Sequence, residues 1–404
     1  MKFASRRLLQ TFIALSLLSL FADIIYEGAR SIGGAYLNLL AAPAMAAGIL
    51  GFGELLSYLM RLVGGVAAQK APSGKVYWIL IGFGYGVNLV IPLLALAGSW
   101  EIALILFFLE RIGKGIRAPP RDVILSEVTE GVGRGKGFGL HELFDQIGAI
   151  AGPLAISLAL FLRGYPEGYR LALWIMWIPW ILSMIMLATA LKAYPEPKAV
   201  IAAREGAEKA REAKLGRGFW IFLAGSTLGM LGFLYWGVIS YYIFDLVKAG
   251  AVLAGETSLP YLVAMGVDAA IALPAGLLYD RIGFRAMAAA PIFAIPIAPM
   301  LLLVGGRGGL YASAILWGLT MGVFETIMRA AVADLAPIEK RGLAYGIYYS
   351  GVGLSWAAGG TIAGYLYQHG LTSGIIGFCA VVEVAALAAF ILLPSRAKPL
   401  TIRK

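Results

Sequence analysis

The sequence predicts an all-α membrane protein with twelve transmembrane helices in two six-helix bundles. Three observations predict this fold class: the composition, a series of apolar stretches, and the position of the longest polar segment. Of the 404 residues, 60% are hydrophobic and 14% are charged, and the mean hydropathy is +0.81. Soluble domains carry roughly 45–50% apolar and about 25% charged residues, so a water-soluble fold cannot bury this much apolar surface. The high hydrophobicity also excludes a disordered chain.

Twelve stretches are apolar and long enough to cross a bilayer, which takes roughly 20 residues of helix. They cover residues 9–38, 45–69, 76–98, 101–118, 137–162, 170–192, 219–245, 257–279, 286–304, 309–333, 343–367 and 372–393. The first stretch contains Asp23 and Glu27 and lacks a small-residue cleavage site, so we interpret it as a membrane helix and not as a signal peptide.

Positive charge is distributed unevenly between the loops. If the helices cross alternately, the side with both termini carries Lys2, Arg6, Arg7, Lys70, Lys75, Arg134, Lys136, Arg281, Arg285, Lys340, Arg341, Arg396, Lys398, Arg403 and Lys404. The opposite side carries chiefly Arg163, Arg170, Lys248 and Arg307. Because cytoplasmic loops are enriched in Lys and Arg, both termini are predicted to be cytoplasmic in a multi-pass protein of the cell membrane. These loops also explain the net charge of +10 without nucleic-acid binding.

The longest polar segment, residues 193–218, divides the chain into an N-terminal bundle (1–192) and a C-terminal bundle (219–404). Its Ala, Glu and Lys residues after two prolines predict a cytoplasmic linker with a short surface helix. The two bundles share a weak repeat, in which an acid, an arginine and a glycine keep the same spacing: Glu127, Arg134 and Gly139 against Asp334, Arg341 and Gly346. Two six-helix repeats are the layout of a secondary transporter with a binding site at the bilayer midplane.

Three local patterns stand out from this background. The loop after the eighth stretch contains a G-x-x-x-D-R-x-G-x-R pattern, formed by Gly276, Asp280, Arg281, Gly283 and Arg285. The fourth stretch continues as R-x-G-K-G-I-R-x-x-P-R-D over residues 111–122. The fifth stretch contains G-x8-G-x3-G-P, formed by Gly139, Gly148, Gly152 and Pro153. In the loop pattern, Asp280 can accept backbone N–H groups of a neighbouring helix and Gly283 permits a tight turn.

These patterns resemble motifs of the major facilitator superfamily of secondary transporters. The loop at Gly276–Arg285 is similar to the superfamily's signature loop, which implies a gating role. Its first-half copy is degenerate, because Gln69 stands where the family has an aspartate. The fourth-stretch pattern is similar to the superfamily's R-x-x-x-G motif and to a branch whose sequences carry R-x-G-K-G-I-R-x-x-P-R-D. The fifth-stretch pattern resembles the antiporter motif, although Ile156 and Ser157 replace its last two glycines.

Ionisable residues within membrane helices are costly, at roughly 2.5–3.5 kcal/mol on insertion scales, and are functional by default. Asp23, Glu27 and Arg30 share one face of the first helix by their i, i+4, i+7 spacing. Two carboxylates one turn apart repel each other, so one of them is expected to hold a proton near neutral pH. We therefore predict a coupling and substrate site from eight residues: Asp23, Glu27, Arg30, Glu54, Glu110, Arg111, His141 and Asp145.

Several charged residues, Glu54 among them, are also interpreted as members of structural pairs that fix helix register. Glu54 is expected to pair with Arg61, Glu325 with Arg329, and Arg117 and Arg121 with Asp122.

The predicted function is proton-coupled export of a small organic compound, drug or metabolite by antiport and alternating access. The alternative is a divalent-metal exporter resembling ferroportin, with Asp23, Glu27, His141 and Asp145 as ligands. No catalytic motif, phosphate-binding loop or extramembrane domain is present in the sequence, so no enzymatic activity and no cofactor are expected. The expected partners are a small-molecule substrate, protons and the lipid bilayer, and the expected state is a monomer. The scarcity of Asn, Gln and Cys predicts a thermophilic source.

Overall fold

The structure, a computed structural model, describes residues 5–69, 73–132, 134–197, 215–337 and 340–393. These residues form helices and connecting turns, with no strand among them. We number the helical segments in chain order. The first half contains α1 (Arg6–Leu39), α2 (Ala44–Gln69), α3 (Gly74–Leu96), α4 (Trp100–Val128), α5 (Arg134–Arg163) and α6 (Glu167–Ala193). The second half contains α7 (Arg217–Lys248), α8 (Leu259–Ile282), α9 (289–304), α10 (Gly306–Leu335), α11 (Arg341–Gln368) and α12 (Thr372–Ile391).

Several segments depart from the apolar stretches in the sequence. α4 continues ten residues past its predicted end at 118 because hydropathy detects only the apolar part of a helix. α7 is interrupted at residues 233–235, where the Leu234 carbonyl accepts a hydrogen bond from the Trp317 indole at 3.1 Å. α9 is a series of short turns around three prolines, each of which lacks the N–H that a continuous helix requires.

Nine segments of the described chain are long and apolar enough to cross a membrane. One of them, Leu259–Val304, combines α8 and α9; its 46 residues would extend roughly 69 Å as a helix, more than twice the hydrocarbon thickness of about 30 Å. α4 and α11 are 29 and 28 residues long but do not belong to the nine. The protein is therefore an all-helical, multi-pass membrane protein, and the count of twelve crossings stays a prediction.

The predicted linker falls mostly outside the described residues. Of residues 193–218, those from 198 to 214 are not described, and this range includes the predicted surface helix. The same holds for Lys2, for Lys70 and for the four cations of the C-terminal tail, which contributed to the predicted orientation.

The two halves meet through matching helices. α2 packs against α11, and α8 packs against α5, which are the same pair of positions when one half is exchanged for the other. α1 and α7, the first segments of each half, also pack against each other. This exchange-symmetric contact pattern is what a repeat of six helices predicts.

The halves are joined at one end of the bundle, where α1, α5, α7 and α11 end and α2 and α8 begin; we call it the closed end. Asn38 of α1 donates to Asp245 of α7 at 3.0 Å and accepts from Lys248 at 2.9 Å. The hydroxyls of Ser31 and Ser258 lie 2.6 Å apart between α1 and α8. These hydrogen bonds link the halves directly.

Glycines allow the helices to approach closely at the closed end. A Cβ at Gly34 of α1 would overlap the main-chain oxygen of Gly237 on α7, and a Cβ at Gly48 of α2 would overlap that of Gly360 on α11. Small residues at such crossings allow backbone contact between membrane helices.

We predict that Gly34→Ala opens the closed end, because a methyl group at residue 34 forces α1 away from α7. The measurement is maleimide labelling of a cysteine introduced at Ser258, which is fully buried. The native Cys379 is buried and contributes little background. Labelling is expected to rise several-fold in Gly34→Ala and to stay unchanged in Gly377→Ala, where a Cβ meets nothing. Equal labelling in both variants would contradict this role of Gly34.

Candidate functional site

A polar cavity of about 900 Å³ lies between the two halves. Its walls come from α1, α2, α4 and α5 on one side and from α7, α8, α10 and α11 on the other. It extends from Glu27 and Trp356 to Gly139, near the start of α5, and to Arg329 on α10. These last residues lie toward the end of the bundle opposite the closed end, which we call the open end. Among the described residues, seven acidic and six basic side chains line the cavity.

The two carboxylates of α1 have different surroundings. The Tyr261 hydroxyl of α8 donates a short hydrogen bond to Glu27, and the Glu27 carboxylate also lies 3.6 Å from the Arg30 guanidinium. Asp23 lines the cavity one turn earlier and makes no hydrogen bond or ion pair within the described part of the chain. Glu27 is thus bound to the second half, whereas Asp23 faces the cavity.

A chain of alternating charges connects three helices of the first half. Arg30 of α1 lies 3.7 Å from Glu54 of α2, and Arg111 of α4 lies 3.4 Å from the same Glu54 oxygen. Arg111 also lies 3.3 Å from Glu110. These side chains are almost fully buried, with 2–11% of each accessible. Five of the eight predicted site residues therefore form one buried network.

The predicted pairing within α2 is wrong. Glu54 contacts Arg30 and Arg111 and not Arg61, because partners on neighbouring helices come closer than the residue two turns along the same helix. Arg61 instead lies 5.7 Å from the ring centres of both Tyr58 and Tyr349.

Of the other predicted structural pairs, that of Glu325 with Arg329 is wrong and that of Arg121 with Asp122 is confirmed. Arg329 bonds to the main-chain oxygen of Glu325 and forms no ion pair with its carboxylate. The pair of Arg121 and Asp122 is confirmed at 2.7 Å. Arg117 is directed elsewhere, to the Gly84 carbonyl at 3.1 Å and the Asn88 amide oxygen at 2.7 Å.

His141 and Asp145 of α5 lie on the cavity wall together. The His141 Nδ1 atom is 3.1 Å from the Ser16 hydroxyl, and its Nε2 atom is 3.7 Å from Asp145. Within the described ranges, no group of three or more His, Cys, Asp or Glu side chains is arranged to hold a metal ion. The four ligands of the metal alternative are thus not brought into one coordination sphere.

The α5 glycines pack against the acidic part of α1. A Cβ at Gly148 would come within 2.8 Å of the Asp23 Cβ, and one at Gly152 would overlap the main-chain oxygen of Ile24. The next residue, Pro153, accepts a hydrogen bond from the Ser258 hydroxyl at 3.0 Å. A Cβ at Gly139 would meet nothing within 4 Å, and this residue lines the cavity near the open end.

The predicted signature loop is largely helical: Gly276, Asp280 and Arg281 lie in the last turns of α8 at the open end, and only Gly283 and Arg285 follow the end of this helix. Gly283 terminates α8 with φ 65°, a left-handed conformation that favours glycine. Asp280, Arg281 and Arg285 are exposed, and the structure describes no bond from Asp280 to a neighbouring helix. Tyr279, which lies within this pattern directly before Asp280, donates to Asp334 of α10 at 2.7 Å.

Several cavity residues were not predicted as site residues. Asp268 of α8 is buried on the cavity wall and is detectable as an intramembrane acid. Tyr349 and Trp356 of the cavity wall, and Tyr261, which bonds to Glu27 without lining the cavity, carry no sequence signal, because aromatic residues are ordinary in apolar helices. They are recognisable only through the charges that they contact.

Comparisons with known proteins agree with this architecture. Residues 251–404 match the Major Facilitator Superfamily. A protein of Mycobacterium tuberculosis (strain ATCC 25618 / H37Rv), described as uncharacterized, is 32% identical over 387 residues, which cover 94% of this chain and 92% of that protein. An uncharacterized MFS-type transporter of Methanocaldococcus jannaschii is 29% identical over 323 residues, covering 79% and 78%. The chain belongs to the major facilitator superfamily.

Solved structures of transporters share the fold. The nucleoside transporter NupG superposes with a TM-score of 0.73 at 16% identity, covering 95% of this chain and 98% of that one. A bacterial homolog of the human lysosomal transporter Spinster, in an inward-facing and occupied conformation, gives 0.70 at 15% identity, covering 96% and 98%. The peptide transporter POT in complex with sulfate gives 0.71 at 16% identity, covering 95% and 93%. Superfamily and fold are those of a membrane transporter with a small-molecule substrate and not those of an enzyme.

We predict that Glu54→Gln strongly destabilises the protein, because it leaves Arg30 and Arg111 without a carboxylate that they share. Removing one partner of a buried ion pair costs about 3–5 kcal/mol. The measurement is thermal unfolding of the purified protein in detergent, with Glu101→Gln, an exposed acid at the start of α4, as the control. A melting temperature equal to that of the control would show that the network adds nothing to stability.

Proposed function

We propose that this superfamily member is a proton-coupled secondary active transporter that moves a small organic compound by alternating access, with Asp23 as its proton carrier. The observation that carries the proposal is the cavity between the halves, which is sealed at the closed end and receives the Asp23 carboxylate. A carboxyl group in a membrane cavity can change its charge by binding or releasing a proton. A group that titrates between two exposed states is what proton coupling requires.

Alternating access would exchange one set of contacts for another. Bundles 1–192 and 219–404 would rock about the 193–218 linker, breaking the hydrogen bonds of Asn38 and Ser31 at the closed end. The loop at Gly276–Arg285 would then bring Asp280 against the first half at the open end. The exposed position of Asp280 supports this assignment, since its charge is available for a contact that forms in the other state. In this proposal twelve helices cross the cell membrane and both termini are cytoplasmic, so the cavity opens to the cytoplasm.

The eight predicted site residues receive different roles in this scheme. Asp23 carries the proton, and Asp145 with His141 is a second titratable pair on the same wall. Glu27 transmits the state of α1 to α8 through Tyr261. The remaining four, Arg30, Glu54, Glu110 and Arg111, fix the position of α1 relative to α2 and α4.

The cavity favours an organic cargo over a divalent metal ion. Seven acidic and six basic side chains line it among the described residues, but no three of the described His, Cys, Asp or Glu side chains are arranged to hold a metal ion. Aromatic rings at Tyr58, Tyr349 and Trp356 offer apolar surface that an organic molecule can cover. The α5 pattern favours antiport and export, but its Gly148 and Gly152 also serve to pack α5 against α1. The sign of the proton movement is therefore the measurement of direction.

We predict that Asp23→Asn abolishes proton-coupled transport, because an amide cannot exchange a proton. The measurement is the pH change inside proteoliposomes that contain a pH-sensitive dye, after addition of organic cations, organic anions and divalent metals in turn. Glu101→Gln, which removes an exposed acid outside the cavity, should keep the wild-type signal.

Two results would refute this assignment. A wild-type pH signal in Asp23→Asn would exclude Asp23 as the proton carrier. A signal elicited in the wild type by a divalent metal alone, and lost in Asp23→Asn, would favour the metal exporter.

A further inference from the structure

Two basic side chains of the cavity wall, Arg61 and Lys114, make no ion pair with any side chain that the structure describes. Arg61 lines the cavity from α2 and is partly buried. Its Nε atom is buried and lacks a hydrogen-bond partner. Lys114 of α4 lines the same cavity with its ammonium group 3.5 Å from the ring centre of Tyr26, again without an ion pair among the described side chains.

Acids and arginines in a cavity differ in how they can lose their charge. The unpaired acids there, including Asp23 and Asp268, can become neutral by binding a proton. A guanidinium group cannot be deprotonated in a protein, so Arg61 stays charged in every state of the transporter. The positive charge of Arg61 can therefore be compensated only by a negative charge placed beside it.

Aromatic rings surround this unpaired guanidinium. Tyr58 and Tyr349 stack with their ring centres 4.9 Å apart and their planes at 25°, and Arg61 lies against both rings. Seven residues further along α11, Trp356 lies 5.1 Å from Arg30, whose Nε and Nη2 atoms are also buried without a hydrogen-bond partner. One face of α11 thus presents two rings, each next to an arginine with unused N–H groups.

We propose that the cargo is an organic anion with a planar ring, its carboxylate or phosphate bound by Arg61 and its ring packed against Tyr58 and Tyr349. A guanidinium fork matches the geometry of a carboxylate or phosphate, and stacking on aromatic rings keeps that fork oriented. This inference rests on the proposed transport function, because it names the compound that the same cavity accepts.

An anionic cargo also bears on the direction of coupling. A proton that neutralises an acid in the cavity removes a repulsion from the anion, so proton and anion favour each other's binding. The inference therefore favours co-transport over the exchange that the α5 pattern predicts.

The test is a binding measurement with three probes that share a benzene ring and differ in charge: benzoate, benzamide and benzylamine. Binding to the purified full-length protein in detergent is measured by equilibrium dialysis, with phenyl phosphate as a second anion. Benzoate or phenyl phosphate is expected to bind at least about tenfold more tightly than the neutral and cationic probes, since hydrogen bonds between charged groups are stronger than those between neutral groups.

Variants of Arg61 locate the site. Arg61→Gln is expected to weaken binding of the anion about tenfold or more, and Arg61→Lys, which keeps the charge but loses the planar fork, should give an intermediate affinity. Arg163→Gln is the matched control, because Arg163 is an exposed cation at the end of α5, outside the cavity. If Arg61→Gln does not fold, the comparison of Arg61→Lys with Arg163→Gln decides the assignment.

Three results would overturn the inference: equal or tighter binding of benzylamine or benzamide, absence of binding by both anions, or unchanged anion affinity in the Arg61 variants. The measurement needs no proton gradient. Binding that depends on Arg61 without transport in proteoliposomes would refute the proposed function and leave the anion site, whereas proton-coupled transport without anion binding would refute only the anion.

Discussion

Charge placed inside the membrane has to be compensated by the protein itself, and the arrangement of the first half follows from this requirement. Glu27, Arg30, Glu54, Arg111 and Glu110 alternate in sign along one chain of contacts through α1, α2 and α4. Each member is positioned by the opposite charges beside it, so the three helices cannot shift independently without separating ions in a low dielectric. The network ends at the cavity, where Glu27 of the first half accepts a hydrogen bond from Tyr261 of the second half.

Close backbone packing also holds α1 in place between the two halves. α1 contacts α5 through glycines and contacts α7 at the closed end through Gly34, so the same helix is held by both halves. Such contacts tolerate little displacement, because side chains larger than hydrogen would overlap the opposite main chain. A rocking motion therefore has to break one interface between the halves and form another. The hydrogen bonds of Asn38 with Asp245 and Lys248 join the halves at the closed end only.

The sequence predicted the helical membrane fold because apolar stretches must satisfy their backbone hydrogen bonds internally. Of the thirteen acidic and basic side chains that line the cavity in the described part of the chain, it named four as site residues: Asp23, Glu27, Arg30 and Asp145. It failed where partners come from different helices. Glu54 was assigned to Arg61 on its own helix, whereas Arg30 and Arg111 approach it from α1 and α4. The contacts of Arg61 with Tyr349 and of Arg30 with Trp356 could not be predicted for the same reason, because each joins residues that are far apart in the sequence.

The failed assignment of Arg61 is also what makes this residue informative. Had it paired with Glu54, the charges of α2 would balance within the helix and Arg61 would offer no unpaired charge to a cargo. Because Glu54 is already shared by two other arginines, Arg61 has no carboxylate partner in the described part of the chain and lies beside the stacked rings of Tyr58 and Tyr349, at the boundary of the halves. The site that discriminates cargo by charge and the surface on which the halves separate would then be the same place. An anion bound there would replace an aromatic contact across that surface, and this links occupancy of the cavity to the relative position of the two bundles.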